Sequence, residues 1–144
     1  DEIKRMTLNA GLIYLSEALV SGTDHEEKVY CTSTGYFEWR HEGNKKIPYY
    51  IYVKDEPIFS MAGIYDEWLD KTTGEVVKSF SIITTDPNSL TDYIHNTKHR
   101  MPAILSMEDE ERWLDPKLAK TEIERLLRPF LPKGWMRMSL IMIF

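Results

Sequence analysis

Apolar and polar positions along this chain follow two periods, and the shorter, strand-like one dominates its first two thirds. Met6, Leu8 and Ala10 alternate with Thr7 and Asn9, which predicts the start of a short strand. From Tyr36 to Trp39 large aromatics flank Glu38. Gly43, Asn44, Lys45 and Lys46 then read as a hairpin turn, and Ile47 to Val53 is rich in strand-forming residues. Ile58 to Tyr65, IFSMAGIY, is a mostly apolar run suited to a buried strand, with Gly63 allowing close backbone packing. Asp66 to Glu75 reads as a polar hairpin tip, and Val76 to Thr84 returns as the next strand of a meander. Met101 to Leu105 predicts one further short strand. These strands place Phe59, Met61, Ile64, Phe80, Ile82 and Ile104 in the core.

The helical period enters later. Asp86, Pro87, Asn88 and Ser89 give a helix-start signal, and Leu90 to His95 suffices for one or two turns. Ser106 is a candidate cap for a helix beginning at Met107, with Trp113 and Leu114 on its apolar face. After Asp115 and Pro116, Lys117 to Leu127 reads as a second helix with Leu118, Ile123, Leu126 and Leu127 on the buried stripe. Ile13 to Val20 fits a short helix or strand, and the methionine-rich tail from Leu131 fits a C-terminal strand. The pattern predicts an α+β fold, a curved and mostly antiparallel sheet with peripheral helices.

With 144 residues, 42% of them hydrophobic and 12% aromatic, the chain suits one domain with one sizeable core. A formal charge of −5 argues against a globally basic nucleic-acid binder but leaves local basic patches open. The single cysteine, Cys31, rules out an internal disulfide and a multi-cysteine zinc site, and fits a reducing, cytoplasmic setting. No apolar run approaches the roughly 20 residues of a membrane span, and no signal-peptide pattern is present.

Glu38 is the candidate with chemistry. A carboxylate among rings loses hydration, which raises its pKa and suits it to proton transfer. The bland alternative is an exposed strand glutamate whose aromatic neighbours lie on the other face. A histidine within reach of such a carboxylate can shuttle protons, and His95 is the first choice, His99 the second. His25 and His41 match no pattern and read as ordinary loop histidines. His95 and His99 stand four apart, but no helical HExxH exists, so no metal site is expected. Cys31 fits a small buried residue at a strand start better than a nucleophile.

GYFEW with its basic turn, AGIYDEW at Ala62–Trp68, FSIITT at Phe80–Thr85 and IHNTKHRMPAIL at Ile94–Leu105 come in a specific order and spacing. Together they resemble the SOS response-associated peptidase (SRAP) family, the abasic-site processing proteins. The resemblance covers Glu2–Ala10 and Cys31 to about Pro129. Gly11 stands where the family has arginine. Gly11–Tyr30 and the tail from about Leu131 depart from the pattern. Real divergence explains this, and so does a shifted reading frame, since codons for Gly11–Ser21 can be chosen whose neighbouring frame reads RADIFERSPRF.

The resemblance implies a barrel-like sheet and a covalent crosslink to abasic sites in single-stranded DNA, formed by an N-terminal cysteine that also self-processes the protein as a peptidase. Asn9 would position the sugar, Glu38 would act as acid or base and His95 would promote ring opening and crosslink reversal. Arg100 would contact phosphate, and Thr84 would contact the strand. No cofactor is implied, and the expected form is a monomer. Residues 1–144 then read as one SRAP-like domain without the catalytic cysteine segment. A non-catalytic DNA-binding remnant and an inactive structural fragment are the rival expectations.

Overall fold

The computed structural model describes residues 27–130 apart from 55. The expectations for Met6–Ala10, for Ile13–Val20 and for the tail from Leu131 lie outside the described residues, as does the role given to Asn9.

Eight strands and three helices are described: β1 Glu27–Ser33, β2 Tyr36–Glu42, β3 Lys45–Ile51, β4 Phe59–Leu69, β5 Val76–Ile82, β6 Thr84–Thr85, α1 Ser89–Ile94, β7 Met101–Pro102, β8 Ile104–Leu105, α2 Met107–Leu114 and α3 Lys120–Leu126. The fold is α+β with antiparallel pairing throughout the described strands.

Strand β4 is the axis. β1 covers one of its edges from Phe59 to Tyr65, so its other partners share the opposite edge: β8 at Ser60–Met61 and β5 from Gly63 to Leu69. The handover occurs at Ala62, whose N–H donates to the Ala103 carbonyl at 2.8 Å while its own carbonyl accepts from Ile83 at 2.9 Å. Beyond it the chain continues as β6, paired with β7.

Because side chains alternate across a strand, Ala62 and Ile64 point to one face and Phe59 and Met61 to the other. The first pair joins Ile83, Leu105, Trp113, Ile123 and Leu127 in a core roofed by α2 and α3. Trp113 has no exposed surface, and its indole N–H donates to the Val29 carbonyl at 2.7 Å. The second pair packs with Val53, Met101 and Ile104, and against these lie Tyr36, Ile82 and Phe130. Tyr36 thereby anchors the β2–β3 hairpin to the second core.

Several expectations change. Phe80 is 48% exposed: it stands opposite Tyr65 beyond the reach of the second core, its ring lying over Gly63, where an added Cβ would come within 2.7 Å of it. Ile83 takes the interior place instead. Ile58 is exposed because it precedes the first ladder pair, Ser33 with Phe59. The pairing of β4 with β5 runs on to Leu69 and Val76, so the polar tip is shorter than Asp66–Glu75. The Ser106 side chain makes no bond to the backbone of α2; its hydroxyl donates to the Asp109 carboxylate at 2.7 Å, and its carbonyl accepts from the Asp109 N–H at 2.9 Å. Leu114 is exposed, and Met101–Leu105 splits into two bridges separated by Ala103. Among the described residues the strands form separate sheets of four, two and two and do not close into a barrel. No helix of the described residues is long and apolar enough to cross a membrane.

Candidate active site at the outer edge of strand β2

Gly43, at φ +57°, takes the first of the two turn positions between Glu42 and Lys45, a conformation that glycine adopts without steric cost. The register it sets places Tyr36, Glu38 and Arg40 on one face of β2 and Phe37, Trp39 and His41 on the other. Phe37 and Trp39 are about half exposed, and the Phe37 ring packs against Tyr50 with centroids 5.1 Å apart. The rings expected to enclose Glu38 therefore lie across the strand from it, because neighbours in a strand point to opposite sides. On β2 itself Tyr36 is the aromatic that shares its face, and Tyr49 stands directly opposite Glu38 on β3. Burial first, and then the charge of Glu38, push the Tyr36 phenol well above its ordinary range, and its hydroxyl has no hydrogen-bond partner among the described residues.

Among the described residues β2 pairs with β3 alone, and side chains meet part of its other edge. The Trp39 N–H donates to Glu38 Oε1 at 2.9 Å, which fixes the carboxylate at that edge. Its second oxygen, Oε2, lies 3.7 Å from His95 Nδ1, close but beyond a hydrogen bond.

His95 is delivered by α1. Asn88 caps that helix, accepting from the Leu90 and Thr91 amides at 3.2 and 3.0 Å, and His95 is the residue on which the helix ends. His95 is 8% exposed. Its Nδ1 lies 3.0 Å from the Arg100 carbonyl, which can only accept, so Nδ1 carries the proton and Nε2 is the acceptor of the neutral ring. The intervening loop closes through the His99 N–H, which donates to the His95 carbonyl at 2.9 Å while His99 sits at φ +48°. Arg40 ties the helix end to β2: its guanidinium donates to the Tyr93 carbonyl and stacks 3.9 Å from the centre of the Tyr93 ring.

A cleft of about 330 Å³ opens here, lined by Glu38, Trp39, His41, Lys46, His95 and Thr97. Residues from both faces of β2 line it, which places it over the strand edge. The structure thus brings Glu38 and His95 together. Arg100 is half-buried and contributes its carbonyl to His95; Thr84 is half-buried in the β6–β7 bridge, and neither lines the cleft. His99 is turned outward onto Asp92 at 2.6 Å. Cys31 stands opposite Met61 in β1, also outside the lining. His41, set aside as an ordinary loop histidine, is in the lining, opposite Lys46 in the hairpin register.

Comparison with known proteins agrees with these motifs. A sequence model described as "SOS response associated peptidase (SRAP)" matches residues 21–141, which leaves Asn9 outside the match. The abasic site processing protein YoqW of Bacillus subtilis is 38% identical over 97 residues, 66% of this chain and 42% of that protein. The abasic site processing protein HMCES of Gallus gallus is 35% identical over 115 residues, 66% of this chain and 33% of its own length. A crystal structure of a protein from Bacteroides thetaiotaomicron is 63% identical, with a TM-score of 0.75, covering 90% of this chain and 56% of that one. The chain thus spans less than half the length of the curated relatives and little more than half of that solved structure. With the family pattern extending over most of its length, the chain belongs to the SOS response associated peptidase (SRAP) family.

Proposed function

We propose that this chain binds single-stranded DNA at abasic sites and that Glu38 and His95 move protons on the opened sugar. The observation that carries this is the pair itself: a carboxylate and an oriented imidazole 3.7 Å apart in one cleft. The names of the curated relatives supply the substrate class.

An abasic sugar is mostly a cyclic hemiacetal. Opening it removes the proton from the C1 hydroxyl, breaks the bond from C1 to the ring oxygen and returns a proton to that oxygen. His95 Nε2 is available to take the first proton. The Glu38 carboxyl, in its protonated form, supplies the second, and the pair is reset when Glu38 takes up a proton from solvent and His95 gives one back. The pair is not hydrogen-bonded to itself, which leaves Glu38 Oε2 and His95 Nε2 to meet a ligand. The half-exposed rings of Phe37 and Trp39 offer bases a stacking surface, and Lys46 on the lining offers a phosphate partner. In the same proposal Asn9 positions the sugar, and Arg100 and Thr84 contact the strand.

A thiazolidine crosslink needs a thiol and an amine on one residue. The amine of Cys31 is committed to a peptide bond, so its thiol offers only a reversible hemithioacetal. These residues therefore supply recognition and proton transfer, and added free cysteine should replace the nucleophile. Its amine condenses with the aldehyde, releasing water, and its thiol then adds to the resulting imine. The chain should speed this trapping on a single-stranded abasic oligonucleotide, and a denaturing gel of chain and oligonucleotide alone should show no heat-stable band. Trapping at the rate in buffer would refute the acid–base roles. Binding without acceleration would support the non-catalytic DNA-binding alternative. A heat-stable band that survives Cys31→Ala would reveal another nucleophile, such as a lysine, and overturn the assignment.

A further inference from the structure

We infer that Asn96 is a positioning residue that holds His95 against Glu38, an inference resting on the acid–base roles proposed for that pair. The His41 N–H donates to Asn96 Oδ1 at 3.0 Å, and Asn96 Nδ2 donates to the His41 carbonyl at 2.8 Å. One side-chain amide thus meets both main-chain groups of one residue, as a hydrogen-bonded antiparallel neighbour would. Only this orientation of the amide satisfies a donor and an acceptor together.

The two partners are 55 residues apart in sequence, and Asn96 directly follows His95. The bridge therefore joins the loop that carries the imidazole to the strand that carries the carboxylate. His41 stands three positions beyond Glu38 on that strand, so the bridge fastens the loop to the strand close to the pair. Arg40, bonded to the Tyr93 carbonyl, makes a second tie on the other side of His95. These two ties bracket His95 at Tyr93 and Asn96. They place its ring where Nδ1 reaches the Arg100 carbonyl and lies 3.7 Å from Glu38. Asn96 itself is not part of the cleft lining, so its effect runs through His95 and not through contact with a ligand.

The test uses the full chain and two readouts. Ring-nitrogen NMR, with His95 assigned by comparison with His95→Ala, should show one neutral tautomer with the proton on Nδ1. In Asn96→Ala the signals should move toward a mixture of tautomers, the His41 amide should exchange faster, and trapping of the abasic aldehyde by added cysteine should slow at least about tenfold. Asn96→Asp keeps the acceptor for the His41 N–H and loses the donor to its carbonyl. It should retain amide protection, fall between the other two in rate, and report even if the alanine variant does not fold. Unchanged His95 signals and an unchanged rate in a folded Asn96 variant would overturn the inference. Displaced His95 signals in a protein whose unaltered form never accelerates trapping would uphold the positioning and remove the acid–base roles.

Discussion

Strand β4 and strand β2 differ in how they are held, and that difference locates the function. β4 is buried from Phe59 to Ile64 and packs on both faces, with two cores gripping it through side chains. β2 has no fully buried residue; it leans on the second core through Tyr36 and is fastened at its outer edge by polar groups from its own chain and from α1. A strand held by apolar contact must fill its surroundings. A strand held at its edge can leave rings and charges facing solvent, where a ligand can use them.

The sharpest way to break this comparison is Trp113→Ala. The side chain is wholly buried and anchors α2 to β1, so its removal should cost about 3 to 5 kcal/mol in denaturant unfolding. A cost under about 0.5 kcal/mol, typical of surface positions, would show that this core is misassigned. Trp39→Ala is the counterpart on β2. Half exposed, it should leave stability nearly unchanged yet weaken binding of single-stranded DNA by about 1 to 3 kcal/mol if a base stacks on it. Unaltered affinity in a fluorescence-anisotropy titration would remove the stacking role.

Asn88→Ala tests the support beneath His95. The side chain caps α1 and donates to the Phe130 carbonyl at 3.3 Å, so thermal unfolding should register a loss of about 0.5 to 2 kcal/mol. No loss would mean that the tie through Arg40, not the cap, holds α1. The smallest effect at neutral pH belongs to Tyr36→Phe, which removes a hydroxyl without a partner among the described residues and should be neutral or slightly stabilising. Above pH 10 the unfolded chain loses the phenolic proton while the folded protein keeps it, since burial and Glu38 raise the folded value. The folded state then binds more protons, so stability falls as pH rises, by up to about 1.4 kcal/mol per pH unit. Full stability persists below pH 10, and Tyr36→Phe should lack this part of the slope. Parallel curves for the two proteins would contradict the burial of Tyr36.

The same contrast explains what was legible in the sequence. The run through Ile64 announces a buried strand because contiguous apolar residues report burial on both faces. Phe80 misleads because alternation gives the face of a residue but not how far along that face the covering layer extends. Glu38 is conspicuous among aromatics, and strand alternation already sends Phe37 and Trp39 to the opposite face, the plainer of the two readings open at that position. His41, Lys46 and Thr97 stay hidden. Alternation sorts side chains to faces, whereas the cleft lies over an edge. The bridge from Asn96 to His41 leaves no local trace, since a polar loop residue looks alike whether it meets water or a strand 55 residues away.

The most direct measurement is a double-mutant cycle on the trapping of an abasic oligonucleotide by added cysteine, with Glu38→Gln, His95→Ala and both together. If the two groups act as one unit, each single substitution should remove most of the acceleration, about 100-fold for an acid–base group, and the double should be only slightly slower than either. Single variants that trap as fast as the unaltered chain, or losses that multiply in the double, would contradict a shared role at the edge of β2.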